Sequence, residues 1–161
     1  MILKIIAMLY WELIYSLLSW STPIKIRKKT VSLMISSNNY DLNRIIQPIR
    51  LFKRSSKKCW ESCAYILSEK NIAEMSDSII DKLFMWLQDM NWPGAEIIFS
   101  YLASVEPEKW ILNYERAVER AVNENDDDWL YSLSKIFSLL DMPKEIFTDE
   151  KIYNYICNFK Y

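Results

Sequence analysis

The chain is 161 residues long, 51% hydrophobic and 25% charged, a balance that suits one globular domain with its own core and excludes a disordered chain. It carries one glycine and no histidine, which disfavours tight hairpins and phosphate loops and removes the commonest general base and metal ligand. The net charge of −1 conceals twelve Lys/Arg against four Asp/Glu in residues 1–70 and eight against seventeen in residues 71–161, so one domain has a basic half and an acidic half.

Residues 2–20, "ILKIIAMLYWELIYSLLSW", have the length of a membrane span. Glu12 costs roughly 3 kcal/mol near the bilayer centre, against roughly 0.5 kcal/mol gained per Leu or Ile, so insertion is marginal. Lys4, Met8, Glu12, Ser16 and Ser19 form one narrow polar stripe, the pattern of a mostly buried helix in a soluble protein. An acid in the apolar run argues against a signal peptide ending near Ser19-Trp20-Ser21. No membrane partner is expected. The basic "IKIRKK" that follows would hold the rest of the chain in the cytoplasm even if residues 2–20 did cross, so the expected localisation is cytoplasmic.

Helix starts are read from caps. Thr22-Pro23, Ser56, Asn91 and Asp128 each precede an apolar-periodic run, and a leucine follows eleven residues after each: Leu33, Leu67, Leu102 and Leu139. The caps lie 34, 35 and 37 residues apart. Each capped helix follows another, at 2–20, about 41–52, about 77–90 and about 108–124, with Pro48 interrupting the second. A last helix opens at Thr148. The expected fold is all-α: a HEAT-like array of about four antiparallel helical pairs plus a C-terminal helix. In the hairpin "WLQDMNWPGAE", Asn91 is expected to cap, Pro93 to sit in the first helical turn, Gly94 to let a partner helix approach, and Trp92 to pack between helices. In the fourth pair, Trp110, Tyr114, Ala117, Val118 and Ala121 form the buried stripe, and Glu115, Arg116, Glu119 and Arg120 are expected to face water.

The stretch "LFMWLQDMNWPGAEIIFSYL", residues 83–102, resembles the signature of an uncharacterised family of small bacterial helical domains, with a Leu-x-Trp-Leu-Gln-Asp-Met-Asn-Trp-Pro core. "DDDWLYSL", residues 126–133, resembles the acidic-Trp element that follows it in that family. The resemblance covers residues of about 76–140 and leaves residues 1–70 outside. It implies a HEAT-like fold and no established activity.

No catalytic constellation emerges. Cys59, Cys63 and Cys157 lack a CxxC pair and are expected to be reduced and buried. Glu124, Asp126, Asp127 and Asp128 lack the alternation and turn glycine of a calcium loop, so no metal or cofactor is expected. They suit a helix N-terminus or a dock for a basic partner. Arg27, Lys28 and Lys29, with Lys53, Arg54, Lys57 and Lys58, form a basic cluster that could meet phosphates. The expected function is a non-enzymatic protein-binding module, and its most concrete form is a bacterial immunity protein that occludes a toxin. Nucleic-acid binding through the basic half is the second choice. The expected binding residues are Arg27, Lys28, Lys57, Lys58, Trp92, Asp127 and Asp128.

Overall fold

Apolar residues at helical spacing, separated by short polar breaks, build helices throughout the computed structural model, which describes residues 2–37, 40–46 and 57–160, with side chains from residue 9 onward. Among these residues the regular structure is helical and there is no strand. The α-helices are α1 (Ile2–Leu18), α2 (Ile24–Ser36), α3 (Trp60–Ser68), α4 (Asp77–Trp86), α5 (Ala95–Ala103), α6 (Ile111–Glu124), α7 (Asp127–Leu139) and α8 (Glu150–Asn158). No described helix is long and apolar enough to cross a membrane.

Side-chain hydrogen bonds fix how the helices lie. Lys70 Nζ, just after α3, donates to the Ile35 and Ser37 carbonyls at the end of α2, at 2.9 and 3.2 Å. Tyr101 OH, near the end of α5, donates to the Lys70 carbonyl at 2.6 Å. The helices α2, α3 and α5 therefore run parallel in one layer, and α7 continues it beside α5. In the second layer Asn113 of α6 donates to the Asp77 carbonyl and the Asp81 carboxylate of α4, at 3.0 and 2.8 Å. Arg116 pairs with Asp81 at 2.9 Å and Arg120 reaches Met85 Sδ at 3.2 Å. Both bonds show α4 and α6 running parallel; α8 starts beside the start of α6. Bonds of this kind within a layer join residues 31 to 36 apart. One turn through both layers of the array thus takes about one helical pair. Trp86, Trp110, Trp129, Tyr114 and Phe84 lie fully buried between the layers. Edge-to-face contacts of Phe84 with Trp110 and Tyr114, at 5.4 and 5.8 Å, lock α4 to α6.

Several local expectations are corrected. Thr22 Oγ1 donates to the Ser16 carbonyl at 2.6 Å, so it closes α1 instead of capping α2. The chain at 41–46 makes a 3-10 turn over Leu42–Arg44, where the Asp41 carboxylate accepts from Asn43 N at 2.9 Å, and not the start of a helix. Pro48, Lys53, Arg54 and Ser56 lie outside the described residues. Helix α4 ends at Trp86 and not near residue 90, because Asp89 accepts from Asn91 N at 2.8 Å and turns the chain. Asn91 is therefore no cap. Gly94 is the N-cap of α5 at φ 86°, and Pro93 stands outside that helix. Asp126, not Asp128, caps α7 by accepting from Trp129 N at 3.0 Å. Asp149, not Thr148, caps α8 by accepting from Lys151 N at 2.8 Å.

Two burial expectations also change. Glu115 does not face water: it is 7% exposed, and its carboxylate accepts from Thr148 N at 2.7 Å, from Asp149 N at 2.9 Å and from Thr148 Oγ1. Helix α1 is not mostly buried: of its described side chains Ile14 and Leu18 are buried, while Leu9, Tyr10 and Leu13 are exposed. Cys59 and Cys63 are buried, as expected, but Cys157 is exposed.

Candidate functional site

The parallel layer α2, α3, α5, α7 brings the N-terminal ends of its helices to one edge. Gly94 makes the tightest step there. A Cβ at this position would lie 2.6 Å from Ala64 Cβ and 3.3 Å from the Trp60 carbonyl, and its positive φ disfavours any L side chain. The start of α5 can therefore rest on the first turn of α3. That approach seats Trp92 edge-on against Trp60, with centroids 5.4 Å apart and planes at 83°. Trp60 meets Trp86 edge-on at 5.9 Å, and Trp86 Nε1 donates to the Pro93 carbonyl at 3.1 Å.

Lys57 closes this aromatic group. Its ammonium lies 5.2 Å from the Trp92 centroid and 5.6 Å from that of Trp60, a cation–π geometry. Lys58 is exposed beside it, and its carbonyl accepts from Trp20 N at 3.0 Å, while Trp20 Nε1 donates to Glu61 at 3.0 Å. Lys57 and Lys58 stand immediately before α3, where the helix dipole disfavours cations. Farther along the same edge, Asp127 and Asp128 occupy the exposed first turn of α7, where the dipole favours them. The edge thus runs from basic, through aromatic, to acidic.

Of the expected binding residues, the structure joins Lys57 directly to Trp92 and puts Lys58 beside them. Arg27, half-exposed, and Lys28, exposed, stand on the neighbouring helix α2. Asp127 and Asp128 stand at the other end of the edge. Sequence reasoning missed Trp20 as a member and did not set Trp60, close to the basic cluster in sequence, against Trp92, because a tryptophan's burial and neighbours are tertiary facts. It also missed a cleft of about 200 Å³ between α4 and α6, bordered by Asp81, Arg116, Arg120 and Trp129. Both arginines there are engaged, Arg116 with Asp81 and Arg120 with Glu124 at 2.6 Å, so the cleft reads as a braced seam between helices.

The titratable groups with shifted values are structural. The Cys63 thiol is pushed up by its hydrogen bond to Cys59 and by complete burial, and that same bond holds Cys59 below the ordinary thiol range. Cys59 is 2% exposed, so its thiol is closed to solvent. Burial raises Tyr114 well above the ordinary tyrosine value and pushes Tyr101 up to about 12. No group of three or more acidic or cysteine side chains among the described residues is placed to hold a metal ion.

A family model described as a domain of unknown function, DUF5071, matches residues 56–152, more than half of the chain. The match takes in the signature stretch and begins well before it, so Lys57, Lys58 and α3 lie inside the family region, while α1 and α2 precede it. No curated protein and no solved structure matches the chain.

Proposed function

The chain belongs to the DUF5071 family of domains of unknown function, and we propose that it is a HEAT-like array that binds another protein and performs no catalysis. The HEAT-like reading is supported by two layers of parallel helices whose linking bonds recur 31 to 36 residues apart. The observation that carries the binding reading is the edge at the N-termini of α3, α5 and α7. Lys57 and Lys58 stand exposed just before the start of α3, where the helix dipole opposes cations, although its first turn carries the acid Glu61 as that of α7 carries Asp127 and Asp128. A basic-to-acidic edge around Trp92 suits a partner with the reverse order of charge, steered into one orientation. The partner we favour is a toxin occluded by this edge in the cytoplasm, as an immunity protein would do. Small size, opposed charged halves and the lack of histidine support that narrower form.

The test is capture of partners from the native cell by the tagged full chain after nuclease treatment, run beside the double variants Lys57→Glu/Lys58→Glu and Asp127→Lys/Asp128→Lys. A stoichiometric protein held by the wild type and lost from both variants, with unchanged circular dichroism, supports the edge. A protein retained equally by all three overturns it as the site. Material that disappears with nuclease, and with the lysine variant alone, would replace the reading with nucleic-acid binding through the basic end.

A further inference from the structure

We propose that the outer face of α1 and α2 docks on anionic phospholipid membranes, lying on the surface without crossing it. Leu13, Lys25, Lys29 and Leu33, which carry this face, are not among the residues gathered at the α3–α5–α7 edge, so either proposal can fail alone. Along α1, Leu9 and Leu13 share one side at helical spacing and are 59% and 58% exposed. On α2, Ile26 and Leu33 are 48% and 60% exposed. Between the two helices opens a cleft of about 570 Å³, with Tyr10 and Leu13 on one wall and Thr30 and Leu33 on the other. Contiguous apolar exposure of this kind marks a surface that meets another phase or partner.

Charge decides which. Helix α2 contains Lys25, Arg27, Lys28 and Lys29 and no acid. Lys29 lies three residues after Ile26 and four before Leu33, and Lys25 lies four before Lys29, so lysines and apolar side chains share one face. Apolar groups able to enter the acyl boundary, rimmed along α2 by cations at headgroup level, are the composition of an interfacial helix pair, and these cations outnumber the nearby acids, Glu12 on α1 and Asp41 at the cleft. The whole chain supports this orientation. Residues 1–70 carry an excess of eight positive charges and residues 71–161 an excess of nine negative ones. An anionic surface therefore attracts this end and repels the other. Two copies meeting face to face would set the lysines of one α2 against those of the other, which opposes a two-fold dimer here.

The test is co-sedimentation of the full chain with vesicles of phosphatidylcholine and phosphatidylserine, and with vesicles of phosphatidylcholine alone. The chain should pellet with the mixed vesicles, less so as salt is raised, and weakly with the neutral ones. Lys25→Glu/Lys29→Glu should lower partitioning at least about 25-fold, at about fivefold for each lysine lost. Leu13→Ser/Leu33→Ser should lower it about tenfold or more on the same vesicles. All four positions are exposed, so both variants should keep the wild-type circular dichroism. Lys135→Glu on α7 should bind like the wild type. Failure to pellet with the mixed vesicles overturns the proposal, as does equal pelleting by both double variants. So does self-association in sedimentation velocity that Leu13→Ser/Leu33→Ser abolishes while no vesicle is bound.

Discussion

The two ends of the array meet solvent by different means. At the C-terminal end α6 turns its apolar stripe inward and spends its polar side chains on neighbours: Glu115 closes the start of α8, Arg116 pairs with Asp81, and Arg120 lies 5.7 Å from the Trp129 ring. At the N-terminal end α1 and α2 leave leucines and isoleucines outside, with lysines around them. The difference teaches that polar bonds between helices do not by themselves close an end of the array: Lys70 and Trp20 tie α2 and the end of α1 to α3, yet apolar surface stays outside there for something else to cover.

Substitutions can break this comparison, beginning with the largest effect. Glu115→Ala should cost about 3 kcal/mol in chemical denaturation, because it leaves two backbone donors and a hydroxyl without their buried carboxylate. A cost near that of Leu13→Ser, which should stay within about 0.5 kcal/mol, would mean the C-terminal end is not closed as described. Gly94→Ala should cost about 2 kcal/mol, since it forces a positive φ and a contact with Ala64. Its thermal midpoint should fall even though alanine is the better helix former.

Alkaline pH sharpens the comparison from another side. The raised values of Tyr101 and Tyr114 mean that the native state keeps protons the unfolded chain gives up. Each contribution is complete below the ordinary tyrosine value of 10.0 and is lost as pH rises above it, through about 12 in the case of Tyr101. Denaturation at pH 9 and pH 11 should show that fall in the wild type and a smaller one in Tyr101→Phe. The smallest expected effect has the opposite sign. Lys58→Glu, at the start of α3, should raise stability by about 0.5 kcal/mol through the helix dipole while weakening partner capture. A variant that loses stability would remove the argument that this lysine is placed for binding.

Much of this is legible in the sequence. Near-absence of glycine and apolar spacing point to helices throughout, and Gly94 reads there as a point of close approach, as the structure has it. The caps lie elsewhere: at α7 several neighbouring carboxylates could serve and the path of the chain selects Asp126, at α5 no side chain caps and the start falls at Gly94, and Thr22 closes α1 instead. Trp92 was legible as packing between helices, whereas its meeting with Lys57 and Trp60 depends on a turn thirty-odd residues away in the chain. Glu115 was misplaced because its stripe position says which side of α6 it occupies, and not that α8 will start over it.

Residue chemistry and spacing by themselves determined the helical class, the pairing of helices and the split of charge, since these follow from backbone freedom and local periodicity along one chain. Tertiary structure alone decided which carboxylate is buried, which tryptophans gather at the edge, and that the face of α1 and α2 stays exposed. Burial is a property of what lies across from a side chain, and that neighbour is usually another helical pair away.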